Sequence, residues 1–339
     1  MIRTTHDLDD AGLVSPGDAE SIDAVGARYA VAITPTMRAL IDTAADPIGL
    51  QFVPDPAELD HQPHELADPI GDAAHSPVPG LVHRYPDRVL LKPVLVCPVY
   101  CRFCFRREHV GPGGGAMSPA DLDAAIAYIA ARPAIREVIL TGGAPLMVAP
   151  RRLAELLDRL QAIPHVELLR LHSRVPVVDP ARVTPALLAA LDRETPVWLA
   201  VHANHAREFS PAASAALRAL HAAGVSLLGQ SVLLRGVNDS AAALEDLFRA
   251  MLRSRIKPYY LHQLDPAPGT ARFHVPIAEG RRLLEDLRGR VTGLAWPTYV
   301  LDIEGGHGKV PIGPDYLSAN EVRDPWGVSH ALAGSPSAR

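Results

Sequence analysis

All three cysteines of this 339-residue chain lie within one short stretch. They are Cys97, Cys101 and Cys104, with the spacing C-x3-C-x2-C. Three thiolates can hold a metal centre, but a tetrahedral zinc site needs a fourth protein ligand, for which His109 is a candidate. A [4Fe–4S] cluster can take three thiolates on three irons and leave its fourth iron open to a small molecule. A cluster, a zinc site and three unreactive buried cysteines are therefore the alternatives.

The cysteine spacing resembles the signature of the radical S-adenosylmethionine (SAM) enzymes, and this resemblance favours the cluster. In that class the open iron binds the amino and carboxylate groups of SAM, and the reduced cluster cleaves SAM to a 5′-deoxyadenosyl radical. Gly142-Gly143 follows a predicted strand and resembles the glycine motif that cradles the methionine amino group. By itself the glycine pair is equally typical of a tight turn. The usual acid after the pair is Ala144 here, so we expect contact through the backbone only.

Lys309, one of three lysines in the chain, follows the last predicted strand in a glycine-rich run. We interpret this run as a flexible loop. A lysine on such a loop can form a Schiff base with the aldehyde of pyridoxal phosphate (PLP), although a solvated loop lysine is the alternative. The phosphate needs cations, for which Arg84 and Arg88 are candidates unless they are surface arginines.

Several short segments occur in a fixed order along the chain: His83–Arg88, Cys97–Arg107, His172–Arg174, Gln230–Asp239, Lys257–Tyr260 and the run around Lys309. Together they resemble the lysine 2,3-aminomutase family, and the resemblance covers about residue 46 to residue 314. The family implies a partial (β/α) barrel holding one [4Fe–4S] cluster, SAM and PLP. It also implies transfer of the α-amino group of L-lysine to the β-carbon.

The resemblance implies a role for each matching residue. It makes Cys97, Cys101 and Cys104 the cluster ligands and Lys309 the Schiff-base lysine. A bidentate guanidinium suits the substrate α-carboxylate, and a partly buried ammonium needs balancing carboxylates. The other implied contacts are the PLP phosphate at Arg84 and Arg88, SAM at Gly142, Gly143, His172 and Gln230, the α-carboxylate at Arg106, and the distal ammonium of lysine at Asp265 and Asp302.

Two further positions depart from the family pattern. Gly229 stands where the family often has Asn, so one polar contact near SAM is missing. His262 stands where an aromatic ring is expected three residues before Asp265, which alters the packing around PLP.

The elements that must position these residues follow from hydrophobic patterning. Apolar strand segments alternate with helical segments from residue 88 onward, which predicts a parallel sheet covered by helices. The lack of G-x-G-x-x-G after the first strand disfavours a dinucleotide-binding domain. The candidate polar residues, with His202, fall mostly at strand ends, where a (β/α) barrel gathers its active site. The predicted strands are 88–95, 137–141, 166–171, 197–201, 225–234, 257–264 and 298–301, and the predicted helices are 118–131, 150–162, 185–191, 210–223, 241–253 and 277–287.

We therefore predict an α/β protein: a partial TIM-like barrel of the radical SAM type over residues 81–317. Short helical patterns such as residues 19–25, and a turn-rich stretch over 51–79, predict a mostly helical appendage over residues 1–80. Disorder is the alternative for this region. Residues 318–339 are predicted to be a C-terminal tail.

Composition and charge limit which partners and which cell compartment we expect for this protein. A net charge of -5 argues against a general nucleic-acid binder. The chain has no apolar run of about 18 residues and no apolar signal-peptide core after Met1, so we expect no membrane association. Clustered cysteines without a disulfide pattern fit a reducing compartment, and we expect a cytoplasmic protein. A reducing electron donor such as flavodoxin or ferredoxin is expected, and a homodimer is left open.

The function predicted on the resemblance is an isomerase that converts L-lysine to β-lysine. One alternative is an aminomutase acting on another amino acid. Another is the supply of β-lysine for modification of elongation factor P. From a different class, a metal-binding regulatory protein with a degenerate site is the remaining alternative.

Overall fold

A nine-stranded sheet forms the centre of the part that the computed structural model describes, residues 1–318 and 320–332. Its strands are β1 (Leu81–Tyr85), β2 (Arg88–Val94), β3 (Glu137–Gly142), β4 (Leu168–Ser173), β5 (Val197–His202), β6 (Ser226–Val232), β7 (Lys257–His262), β8 (Thr298–Ile303) and β9 (Gly308–Pro311). They lie in the sheet in chain order. Strands β2 to β8 are parallel, whereas β1 and β9 pair antiparallel at the two edges. Sequential parallel strands with helical crossovers are the construction of a (β/α) barrel, as predicted.

Helices supply the crossovers, and short helices separated by turns lie in the N-terminal region. They are α1 (Thr5–Asp10), α2 (Ala19–Arg28), α3 (Pro35–Arg38), α4 (Gly49–Phe52), α5 (Pro119–Ala130), α6 (Pro150–Gln161), α7 (Val175–Val178), α8 (Pro185–Leu191), α9 (Pro211–Ala222), α10 (Ala241–Arg253) and α11 (Ile277–Leu287). The hydroxyls of Ser118, Thr184 and Ser210 accept backbone N–H groups in the first turns of α5, α8 and α9, where a proline follows each cap. Within the described ranges, no helix is long and apolar enough to cross a membrane.

Side-chain alternation along the strands separates the core from the interior of the barrel. In β4, Leu169 and Leu171 are fully buried, whereas Arg170 and His172 line the interior. Helix α6 buries Leu153, Leu156, Leu157 and Leu160, a spacing of three and four that forms one apolar face. The inward positions of the strands are thereby left for polar groups.

The two edge strands were not predicted, and one of them corrects the interpretation of Lys309. This residue lies in β9, paired with Asp302 of β8, and not in a flexible loop. Gly305, Gly306 and Gly308 all have positive φ and reverse the chain between the two strands. The glycines therefore form the turn between β8 and β9, and Lys309 itself belongs to the hydrogen-bonded pair of these two strands. Arg84 similarly lies within β1 instead of preceding the first strand.

A side chain connects the two edges of the sheet. The Tyr85 hydroxyl of β1 accepts the backbone N–H of Lys309 in β9 at 2.7 Å. No ladder joins β1 to β9 in the described ranges, so the barrel is partial. Tyr85 holds the strand that carries Lys309 against the opposite edge.

The N-terminal region shares the hydrophobic core of the barrel. Leu8, Ile22, Met37 and Phe52 belong to the same buried cluster as the strand residue Leu171. At the other end, β10 (Glu321–Arg323) and β11 (Ser329–Ala331) form a separate two-stranded sheet. The division at residues 80 and 317 stays a prediction, and residues 319 and 333–339 of the predicted tail lie outside the described residues.

A buried carboxylate fastens the N-terminal region to the cysteine loop. Glu58 has no exposed surface, and Arg102, between two cysteines, donates to it from Nε at 2.9 Å. Arg107 also pairs with Glu58, and Arg272 lies 3.6 Å away. Burial raises the pKa of Glu58, but Arg102 and Arg107 outweigh burial, so the net shift is downward. The charged carboxylate is therefore the form that the fold stabilises.

Removing this charge should destabilise the protein strongly. Glu58→Gln leaves buried guanidinium groups without their counter-charge, and we expect the free energy of unfolding to fall by about 3–5 kcal/mol. The matched control Glu155→Gln removes a carboxylate that pairs with Arg151 on the surface and is 58% exposed. That change should cost about 0–0.5 kcal/mol. Denaturant unfolding measures both, and equal effects would contradict the anchoring role.

Candidate active site

A cavity of 740 Å³ occupies the interior of the barrel. It extends from Arg88 and Glu137, at the first residues of β2 and β3, to the loops beyond the carboxyl ends of the strands. The residues that line it include all thirteen to which the sequence assigned a role: Arg84, Arg88, Cys97, Cys101, Cys104, Arg106, Gly142, Gly143, His172, Gln230, Asp265, Asp302 and Lys309.

The three cysteines sit on the loop after β2, at one end of this cavity. Burial raises the pKa of the Cys97 thiol well above its usual value and that of Cys104 to about 11, and the neighbouring cysteines add to both shifts. The three sulfurs are therefore close enough to repel one another as thiolates, which a positively charged metal centre would relieve.

The ligand geometry distinguishes a cluster from a single zinc ion. Three thiolates on one zinc must converge to about 2.3 Å from the metal. Among residues 1–318 and 320–332, no group of three His, Cys, Asp or Glu side chains is placed to hold one metal ion. His109, the proposed fourth zinc ligand, is exposed. In a [4Fe–4S] cluster each thiolate binds a different iron, so the residues fit a cluster.

Arg174, which the sequence did not single out beyond its motif, contacts the cysteine loop directly. Its Nη1 donates to Cys101 Sγ at 2.9 Å, and its Nη2 donates to the buried Glu208 at 2.8 Å. Burial lowers the pKa of Arg174, but Cys101 and Glu208 outweigh burial and raise it. A permanent cation therefore faces the sulfur of Cys101.

The glycine pair packs against the backbone of the cysteine loop. A Cβ on Gly143 would lie 2.5 Å from the carbonyl oxygen of Val96. The N–H groups of Gly143 and Ala144 donate to the carbonyls of Val94 and Val96, at 2.8 and 3.0 Å. Both N–H groups are therefore used within the fold. An ammonium ligand needs hydrogen-bond acceptors, and the backbone of this segment offers them as carbonyl oxygens.

Three histidines line the cavity and are uncharged near neutral pH. Burial lowers the pKa of His172 and of His202 well below the usual value for imidazole. Burial and Lys309 lower that of His262 to about 4. Nε2 of His172 and Nε2 of His262 are buried without a hydrogen-bond partner in the described part of the chain. Such atoms in a cavity wall suit a ligand that supplies the missing partner.

Lys309 lies among polar groups in the wall of the cavity. Its ammonium pairs with Asp302, and its Nζ lies 3.3 Å from His262 Nδ1. Arg84 lies 4.0 Å from the other oxygen of Asp302. Burial raises the pKa of Asp302, but its contacts with His262 and Lys309 outweigh burial and lower it well below the usual range. Asp302 is thus a fixed negative charge.

Asp265 contrasts with Asp302. Burial, followed by the charge of Asp302, raises the pKa of Asp265 to about 7. The nearby cations Lys309, Arg106 and Arg84 only partly offset this rise. Among the described residues no cation forms an ion pair with Asp265, so a second negative charge at this point of the cavity is only partly balanced.

Asp72, which the sequence analysis missed, organises the arginine assigned to the substrate carboxylate. Its Oδ2 accepts from Arg106 Nε at 3.0 Å and pairs with Arg106 Nη2 at 2.9 Å. Lys92 lies 3.4 Å from the same oxygen. These contacts orient Arg106 and leave its Nη1 for another acceptor. Asp72 lies in a turn-rich stretch with no local pattern to mark it.

Arg88 and Arg170 lie at the end of the cavity opposite the cysteines. Arg88 stacks over the Tyr85 ring, 3.8 Å from its centroid, and pairs with Asp87. Arg170 pairs with Glu137 at 2.9 Å. Arg170 was not predicted to be a site residue. A charged residue within an otherwise apolar predicted strand could have indicated it.

The cavity carries an excess of positive charge. Six basic side chains line it against three carboxylates, although the whole chain has a net charge of -5. The basic side chains are Arg84, Arg88, Arg106, Arg170, Arg174 and Lys309, and the carboxylates are Glu137, Asp265 and Asp302. Such a site attracts ligands that carry carboxylate or phosphate groups.

Comparison with known proteins agrees with the fold and the cysteine loop. A family model described as the radical SAM superfamily matches residues 91–248, and one described as lysine-2,3-aminomutase matches residues 284–324. With its partial barrel and cysteine triplet, the chain is a radical SAM enzyme. Enzymes of this class carry a [4Fe–4S] cluster and bind SAM.

Three relatives narrow the assignment. L-Lysine 2,3-aminomutase of Fusobacterium nucleatum is 41% identical and covers 93% of this chain and 75% of its own length. That of Clostridium subterminale is 43% identical over 85% of this chain and 70% of its own length. Glutamate 2,3-aminomutase of Clostridioides difficile is 36% identical over 88% of this chain and 71% of its own length. The chain belongs to the lysine 2,3-aminomutase family of isomerases, for which PLP is a characteristic cofactor.

The packing of the glycine pair generates a prediction about cluster loading. Gly143→Ala places a Cβ against rigid backbone, so the cysteine loop must shift. After anaerobic reconstitution, we expect bound iron to fall from about four per chain to less than half of that. Gly113→Ala is the control, because a Cβ there meets nothing within 4 Å. Full iron content in Gly143→Ala, measured by metal analysis, would show that the close approach is unimportant.

Proposed function

We propose that the protein moves the α-amino group of L-lysine to the β-carbon and so forms β-lysine. The observation that carries this proposal is the pair of carboxylates, Asp265 and Asp302, in a cavity that also holds Lys309 and the cysteine loop. Free α-amino acids share their α-carboxylate and α-ammonium groups. The distal end therefore decides which one is the substrate.

Charge at the distal end favours lysine over glutamate and over apolar amino acids. A lysine ammonium would supply the cation that Asp265 lacks, and its binding would shift Asp265 to the ionised form. The distal carboxylate of glutamate would add a third negative charge beside two carboxylates, which costs affinity. An apolar side chain would leave Asp265 without compensation.

Lys309 is the lysine that we propose carries PLP. All three lysines lie in the described part, and of these only Lys309 lines the cavity. Lys92 pairs with Asp72, and Lys257 donates to the Trp296 carbonyl at 2.7 Å. PLP, when bound, supplies a π system over which an unpaired electron can spread.

The remaining roles follow the charges of the cavity. Arg84 and Arg88 would hold the phosphate of PLP, and Arg106, oriented by Asp72, would bind the α-carboxylate of the substrate. Cys97, Cys101 and Cys104 would ligate the cluster. SAM would lie between the cluster and the polar groups of Gly142, Gly143, His172 and Gln230. The flavodoxin or ferredoxin donor, a homodimer and a supply of β-lysine for elongation factor P stay predictions.

The experiment that tests the function is an anaerobic assay with SAM, PLP, a chemical reductant and one amino acid, followed by chromatography and mass analysis. We expect β-lysine from lysine and no β-glutamate from glutamate. Turnover of glutamate but not lysine would replace the proposed substrate. No turnover of any amino acid by fully loaded protein would favour the degenerate-site alternative.

Substitution of the two carboxylates should show whether they determine specificity for lysine or only contribute to the stability of the protein. Asp265→Asn or Asp302→Asn leaves a buried substrate cation short of counter-charge, a loss of about 3–5 kcal/mol. We therefore expect kcat/KM for lysine to fall by roughly two orders of magnitude or more. Asp60→Asn, at an exposed position, is the control.

The same variants can be tested through pH. Because the ammonium binds ionised Asp265, lysine affinity should weaken as pH falls below about 7. In Asp265→Asn, this dependence should disappear. If both Asn variants slow lysine and an amino acid without a distal amine equally, the carboxylates do not select the substrate.

Covalent trapping tests the assignment of Lys309. Borohydride reduction of protein incubated with PLP, followed by peptide mapping, should place the label on Lys309, because this lysine faces the cavity. The label requires neither iron nor SAM. A label on Lys92 or Lys257 would show that the assignment is wrong.

A further inference from the structure

We propose that His262 is the proton acceptor for Lys309. Its imidazole takes a proton from the Nζ ammonium and so makes the amine nucleophilic. This inference rests on the proposed role of Lys309 as the lysine that carries PLP. It adds a positioning and proton-transfer residue that the family pattern, with an aromatic ring at this position, does not provide.

The hydrogen-bond geometry fixes the direction of transfer. Lys309 Nζ lies 3.3 Å from His262 Nδ1. An ammonium has donors only, so Nδ1 must be the acceptor and the neutral ring must carry its hydrogen on Nε2. Nδ1 lies 3.7 Å from Asp302 Oδ2, which is beyond hydrogen-bond range. Lys309 is therefore the partner of this nitrogen.

A free amine is needed for attack on an aldehyde, and the surroundings of Lys309 oppose its formation. The ion pair with Asp302 stabilises the ammonium, so loss of the proton to solvent would leave Asp302 with only the more distant Arg84, at 4.0 Å, as a counter-charge. Transfer to His262 breaks one N–H bond on Nζ and forms one on Nδ1. The positive charge then moves to the imidazole, which still faces Asp302. The net charge of the group does not change.

The transfer also removes one of the two obstacles to protonating His262. Burial and the positive charge of Lys309 lower its pKa, whereas Asp302 raises it. Once the proton has left Nζ, the opposing charge of Lys309 is gone, so burial alone opposes the charged imidazole and Asp302 favours it. Other titratable groups of this region are His172 and His202, whose pKa values burial lowers, Tyr260, whose ring centroid lies 5.6 Å from that of His262, Arg84 and Asp265.

The far side of the ring is consistent with this tautomer. Nε2 of His262 is buried and has no hydrogen-bond partner among residues 1–318 and 320–332. An N–H group in the wall of a cavity that suits phosphate and carboxylate ligands can donate to such a ligand. Ligand binding would then hold the hydrogen on Nε2 and keep Nδ1 available to Lys309.

The test measures attachment of PLP to protein without SAM or substrate. The fraction trapped by borohydride on Lys309 is followed over time between pH 6 and pH 10 for His262→Gln, His262→Phe and His262→Ala. We expect attachment at pH 7 to slow at least tenfold in all three variants. Their rates should recover as pH rises, because hydroxide then replaces the missing proton acceptor. Added imidazole should accelerate His262→Ala and leave the wild type unchanged.

The controls separate this inference from the proposed function. His221→Gln, on the exposed face of α9, should attach PLP at the wild-type rate. If Lys309 is never labelled in the wild type, the proposed role of Lys309 is wrong, and the role of His262 that rests on it is overturned with it. If Lys309 is labelled as fast in His262→Phe as in the wild type, or imidazole does not rescue His262→Ala, His262 only fills space.

Discussion

The buried pairing of Glu58 with Arg102 is the interaction on which the rest of the site depends. Arg102 lies between Cys101 and Cys104, and its side chain is 1% exposed, so its charge must be compensated inside the protein. The compensating carboxylate comes from the N-terminal region, which also supplies the Ala30 carbonyl as an acceptor at 2.9 Å. The loop that presents the thiols therefore takes its shape from a distant part of the chain. Gln51 continues this connection, because its carbonyl accepts the backbone N–H of Arg102 and its side chain contacts Arg174.

Basic and acidic side chains occupy different regions along the cavity, so each region favours ligand groups of the opposite charge. Guanidinium groups near the cysteine loop and at the opposite end suit carboxylates and phosphate. The two aspartates near Lys309 favour an ammonium between these cationic regions. The neutral histidines donate or accept hydrogen bonds without changing this balance. A zwitterionic amino acid with a second ammonium can satisfy both kinds of region at once, which is the basis on which we propose lysine as the substrate.

In the proposed function, Asp302 would link substrate choice to the chemistry of Lys309. Its counter-ion in the structure is the Lys309 ammonium. If Lys309 takes part in a covalent bond to PLP, Asp302 becomes available to a substrate ammonium. His262 lies beside both groups and can carry the positive charge between these two states. The cross-strand pairing of Asp302 with Lys309 brings the three residues together.

The sequence alone was enough to predict the parallel barrel, the cysteine loop and part of the cavity wall. These follow from short-range signals: the alternation of apolar strands and helices, the spacing of Cys97, Cys101 and Cys104, and polar residues at strand ends. Only the tertiary structure decided the partners of those residues. Glu58 with Arg102 and Asp72 with Arg106 join positions more than thirty residues apart, and no local pattern encodes such pairs. The glycine-rich run before Lys309 could equally have been a mobile loop, because glycine permits many backbone conformations. Pairing with β8 and the Tyr85 hydroxyl selected the strand, and that choice placed Lys309 Nζ beside His262.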